Sequence, residues 1–136
     1  MELDKRLIQL RIDVIERNLE EVKKILRQKS LSYRDELALK HALLECIEAC
    51  IDIGNHIIAT KGFRRPVDYK DIFEVLMENK ILKKELGKKL KRMVGFRNVL
   101  VHRYAYVDVK KLLKFARQDA KDIINFVRVV LKLIKD

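Results

Sequence analysis

The sequence predicts an all-α protein, an up-and-down bundle of four long helices plus one short helix. Three observations carry this prediction. Apolar residues recur at helical spacing along most of the chain. Turn formers are scarce, with four Gly and one Pro in 136 residues, which argues against a sheet built from many hairpins. The breaks between periodic stretches carry Ser or Asp where a helix would need an N-cap. Residues 1–136 make a chain of ordinary single-domain size. A hydrophobic content of 49% can fill a core without disulfides or metal.

The first helix is expected from Asp4 to Lys29, with Asp4 as its cap and one stripe through Ile8, Ile12, Ile15, Leu19, Val22 and Leu26. Ser30-Leu31-Ser32 breaks the chain, and Ser32 followed by Asp35 and Glu36 resembles an N-terminal capping arrangement. The second helix follows from Tyr33 to Thr60, with Gly62 placed to end it. Asp68 caps a short helix holding Ile72, Phe73 and Leu76 inward, and Glu78-Asn79-Lys80 makes a bend. A fourth helix spans Lys83 to Val101, and His102 to Val107 reads as extended or irregular. Asp108 caps the last helix, whose inward face is expected through Leu112, Leu113, Ala116, Ala120, Ile123, Ile124, Val127, Val130, Leu131 and Ile134.

The second helix is apolar around most of its circumference, the pattern of a central, buried element. His41, Glu45, Glu48, Asp52, Asn55 and His56 nevertheless fall within an arc of about 100°. That strip is either a solvated face or the border of a functional cleft.

A formal net charge of +11 on so small a chain points to phosphate backbones, anionic membrane surfaces or an acidic protein as attractants. A Lys- and Glu-rich composition is also common in heat-stable proteins, so charge alone decides nothing. Cys46 and Cys50 lie four apart in an apolar helical run, without the companions of a zinc site, and read as small buried hydrophobes. No metal and no cofactor is expected. The N-terminus lacks the apolar region of a secretory signal, and the longest uncharged stretch, Ile53 to Thr60, is too short to span a bilayer. The expectation is a soluble, cytoplasmic protein.

Gly-rich phosphate loops, Ser-based elbows and Cys-x-x-Cys pairs are absent. The remaining chemistry lies in Arg97-Asn98-Val99-Leu100-Val101-His102-Arg103-Tyr104. Metal-free RNA cleavage needs a group that exchanges a proton near neutral pH and a fixed cation against the charge growing on phosphoryl oxygens. His102 and Arg97 supply one of each. Asn98 lies four before His102, on the same helix face, and can fix the His tautomer or donate to a phosphate oxygen. On a regular helix Arg97 and His102 point about 140° apart. They converge on one phosphate only if the helix ends or unwinds near Val101, or if two subunits contribute. Taken alone, an Arg and a His near a helix C-terminus equally suit the macrodipole.

The Arg97–Tyr104 segment resembles the Arg-x4-His-x-Tyr signature of HepT toxins, members of the HEPN superfamily, with Asn98 in the polar slot after the Arg. The likeness extends to Glu48 through Ile58, Asp71 through Leu76 and Met93 through Asn98, covering about Glu45 to Val109. It implies an HEPN-like homodimer acting as a metal-independent endoribonuclease, with Arg97 and His102 catalytic at a cleft between subunits and Asn98 in support. It further implies that a nucleotidyltransferase antitoxin of the MntA type silences the toxin by attaching AMP to Tyr104. An adenylylated Tyr adds bulk and negative charge beside a basic cleft, obstructing RNA and repelling its phosphates. Asp52, Asn55 and His56 then become candidates for bordering the cleft and orienting Arg97 or His102. Glu48 and Asp52 are plausible ion-pair partners for Arg97. Lys80, Lys83, Lys84, Lys88, Lys89, Lys91 and Arg92 precede the motif and can follow an RNA backbone.

Two other readings stay open. One is a non-catalytic HEPN module that partners a minimal nucleotidyltransferase or binds RNA or nucleotide. The other is a basic helical dimer binding nucleic acid without specificity.

Overall fold

The computed structural model describes residues 2–102 and 107–135. Among them there is no strand. The helices are α1 (Lys5–Leu26), α2 (Tyr33–Lys61), α3 (Tyr69–Glu78), α4 (Lys84–His102), α5 (Val109–Lys114) and α6 (Ala120–Lys135). Phe115–Asp119, between the last two, is π-helical.

The helix ends follow their local chemistry. The Asp4 carboxylate accepts from the Leu7 N–H, and Asp68 does the same for Asp71. Ser32 and Asp35 form a reciprocal capping box. Asp108 accepts from the Lys110 N–H. α2 ends at Gly62, whose φ of 70° is left-handed and suits a residue without a side chain.

α2 is the central element and packs against every other helix. Its buried residues, from Leu39 to Ile58, meet the stripe Ile8, Ile12, Ile15 and Val22 of α1 on one side. On another side α3 sets Phe73 edge-to-face on Phe126 of α6, with centroids 5.8 Å apart. Both rings are wholly buried, worth roughly 1.5–3 kcal/mol each in area removed from water. α3 also approaches α2 closely at Gly54, where an added Cβ would lie 2.6 Å from Ile72 Cγ2. The loop from α2 to α3 is clasped by Arg64, which donates to both Asp71 oxygens and both Glu78 oxygens at 2.8–2.9 Å. Hydrogen bonds from Arg64, then from the Val67 N–H, hold the Asp71 carboxyl down at about 2.

Two boundaries differ from expectation. α4 stays helical through His102, where irregular chain was expected to begin. The last helix is interrupted by the π-helical turn, which adds a residue to its register. Its inward face therefore runs through Phe115, Ala116, Ile123, Phe126 and Val127, while Ile124 turns toward solvent.

Candidate active site

Leu90, Met93, Val94 and Leu100 face inward along α4, and Arg97 falls on the same stripe. A guanidinium in that position is withdrawn from water and needs partners. It has three. Arg97 Nε donates to Glu48 Oε1 at 2.6 Å, Nη1 donates to Asn98 Oδ1 at 3.2 Å, and the guanidinium carbon lies 4.8 Å from the centroid of the Tyr69 ring. The Arg97 side chain is 14% exposed and that of Glu48 38%. Three helices thus converge on one cation: α2 through Glu48, α3 through Tyr69, and α4 itself.

His102 ends α4 and is exposed. With α4 regular between them, it lies about 140° around the axis from Arg97 and about 7.5 Å along it. One chain therefore does not turn both groups toward one point, and unwinding before His102 does not occur. Asn98 bonds to Arg97 rather than to His102. Tyr104, the expected AMP-attachment site, lies outside the described residues.

The polar strip of α2 divides. Glu48 turns to Arg97, while Asp52 pairs with Arg11 of α1 at 3.2 Å. Asn55 is exposed and lines a hollow of about 230 Å³ with Leu7, Arg11, Asp52 and His56, between α1 and α2. His56 Nε2 accepts from the Asp4 backbone N–H at 3.0 Å, which places its proton on Nδ1. His41 pairs with Glu45 at 3.2 Å. Asp52 and Asn55 thus serve the α1 side and make no contact with Arg97. The strip spans nearly two turns beyond Glu48, and the neighbouring helix changes along it.

Tyr69 was not singled out by sequence. The available signal was an aromatic one residue after the Asp68 cap, at the mouth of a short helix. In the basic run before the motif, Lys91 is paired with Glu74 at 3.1 Å, and Lys80, Lys83, Lys84, Lys88, Lys89 and Arg92 are exposed. Cys46 and Cys50 are buried free thiols. Burial pushes Cys46 up to about 12 and Cys50 well above its ordinary value, which leaves neither as a nucleophilic thiolate near neutral pH. Among the described residues no group of three His, Cys, Asp or Glu is arranged to hold a metal ion. Nor is any helix there long and apolar enough to cross a membrane.

The chain is similar to known proteins. The family model described as Ribonuclease HepT-like matches residues 14–130. The mRNA nuclease HepT of Shewanella oneidensis is 34% identical over 88 residues, 65% of this chain and 66% of that protein. The tRNA nuclease HepT of Aphanizomenon flos-aquae is 29% identical over 119 residues, 82% of this chain and 81% of that one. In solved structures, the tri-AMPylated HEPN toxin of Shewanella oneidensis in complex with MNT antitoxin superposes with a TM-score of 0.86 at 27% identity, covering 93% of this chain and 97% of that one.

Proposed function

Because the chain belongs to the HepT-like ribonuclease family, we propose that it is a metal-independent endoribonuclease toxin whose site is completed by a second copy. Arg97 and His102 are its catalytic pair, Asn98 supports Arg97, and a nucleotidyltransferase antitoxin of the MntA type silences it by attaching AMP to Tyr104. The observation that carries this reading is the fixation of Arg97. A cation on an inward stripe, held by a carboxylate, an amide and an aromatic face, is positioned before any ligand arrives.

The chemistry follows from these groups. The ribose 2′-oxygen attacks the adjacent phosphorus while His102 of one subunit takes its proton. Charge grows on the non-bridging oxygens, which the guanidinium of Arg97 stabilises. The bond from phosphorus to the 5′-oxygen breaks, and the same His102, now protonated, gives that proton to the leaving oxygen. The products are a 2′,3′-cyclic phosphate and a 5′-hydroxyl. The opposed directions of Arg97 and His102 on α4 favour a twofold pair of copies. Val99 and Val101, about 40% exposed beside them, offer apolar surface for that contact.

The test is RNA cleavage in EDTA by purified protein, with end-group analysis. We expect cyclic phosphate ends and loss of activity in His102→Ala. Undiminished cleavage in that variant would remove His102 from the mechanism.

One observation favours a second reading, a non-catalytic binding module. Glu48 already balances the charge of Arg97, and a neutralised cation is a weaker electrostatic catalyst. Turnover of RNA by the purified chain separates the two.

A further inference from the structure

We propose that the cleft between α4 and the α5–α6 rod is a binding groove for single-stranded RNA, outside the Arg97–His102 site. The proposal rests on the ribonuclease reading for the identity of its ligand. The cleft holds about 550 Å³ and is lined by Lys89 and Arg92 of α4, Lys111 and Lys114 of α5, and Lys121 of α6. Five cations thus face two carboxylates, Asp119 and Asp122. Among the described residues none of the five is in an ion pair, unlike Lys91 and Arg97 on the same α4. All five are exposed. Such charge, converging from two walls of a concave surface, suits a polyanion better than a single acidic side chain does.

Two further features point to a nucleic-acid strand. Phe96 and Phe115 also line the cleft, their rings stacked at 4.4 Å with planes 12° apart, and Phe96 is partly exposed. Cations along a groove with an aromatic surface between them are what single strands require, since every base has a face to stack. The π-helical turn Phe115–Asp119 forms part of the wall, and such turns are concentrated at functional sites. Lys89, Arg92 and Phe96 occupy successive turns of α4 and lead toward Arg97. They cover about 10 Å of helix, the length of two or three phosphates. The groove thus positions a strand whose scissile phosphate lies further along α4.

The experiment measures binding of a fluorescein-labelled oligouridine of about 20 nucleotides by anisotropy, with the full chain in a His102→Ala background so that the probe survives. The double variant Lys111→Glu/Lys114→Glu changes exposed residues only. We expect its Kd to rise at least about tenfold in 0.1 M salt, and the slope of log Kd against log salt to fall by about 1.4 for two lost contacts. The control Lys23→Glu/Lys24→Glu carries the same charge change on α1 and should shift Kd by less than about twofold. Equal losses in both variants, or none in the groove variant, overturn the proposal. So does unchanged RNA binding with lost association of a protein partner. A chain that cleaves RNA but whose groove variant binds normally refutes the groove and spares the ribonuclease reading. A groove effect on binding by a chain without turnover does the reverse.

Discussion

Arg97 and Glu48 are 49 residues apart in sequence and 2.6 Å apart in space, and their ion pair joins α4 to α2. Glu48 has two separable effects on Arg97. It aims the guanidinium, and it offsets its charge. Glu48→Gln keeps an oxygen acceptor and removes the charge, whereas Glu48→Ala removes both. Activity in Glu48→Gln is expected within about threefold of the parent, and in Glu48→Ala to fall about a hundredfold through misplacement of Arg97. The Ala variant also leaves a shielded cation unpaired, at a cost of about 1–2 kcal/mol in denaturant unfolding. Equal activity of the two variants would show that aiming is not what Glu48 does.

Gly54 is a point of close approach between α2 and α3. A methyl group there meets Ile72, a buried and stiff β-branched residue. Gly54→Ala is expected to lose about 1–3 kcal/mol by overpacking, partly offset by about 1 kcal/mol of helix propensity. At Gly87 the added methyl meets the flexible side chain of Met77, so Gly87→Ala should lose less. Urea midpoints give the order, and an undiminished midpoint in Gly54→Ala would contradict the close packing.

The clasp of Arg64 on Asp71 makes a statement about pH. The folded carboxyl of Asp71 titrates at about 2, below its ordinary 3.8. A depressed folded value stabilises above the ordinary value, and the contribution disappears as pH falls through the folded one. Arg64→Ala should therefore lower Tm at pH 7, with the difference from the parent shrinking between pH 4 and pH 2. A difference constant over that range would remove the clasp as its cause.

Tyr104 is tested by mass. Co-expression with a nucleotidyltransferase antitoxin should yield protein heavier by whole AMP units, and Tyr104→Phe should return it to the unmodified mass. Retention of the increments in Tyr104→Phe would move the modification elsewhere.

Much of the fold was legible because helix ends are written locally. Asp4, Ser32 with Asp35, Asp68, Asp108 and Gly62 each act where the sequence placed them. The central position of α2 was equally readable, since a helix apolar around most of its surface has few other places to go. Which neighbour meets which face was harder. The periodicity of α2 put Glu48 and Asp52 on one strip, and only the packing of α1 and α4 sends Asp52 to Arg11 and Glu48 to Arg97. Tyr69 was hidden for the same reason, because its contact is made across space with α4. The π-helical turn left no mark either. An inserted residue inside an apolar run shifts the face without breaking the pattern, which is how Phe126 took the place expected for Ile124.

The regularity of α4 from Arg97 to His102 has a genetic consequence. If each reaction centre takes Arg97 from one copy and His102 from the other, every chain is half of two centres. Arg97→Ala and His102→Ala chains would then each be inactive alone, yet a heterodimer of the two would keep one intact centre beside one doubly defective one. Mixing the two dead proteins under exchange conditions should restore cleavage, and persistent silence of the mixture would mean that each copy works by itself. Two loss-of-function alleles of such a gene would complement in the same cell.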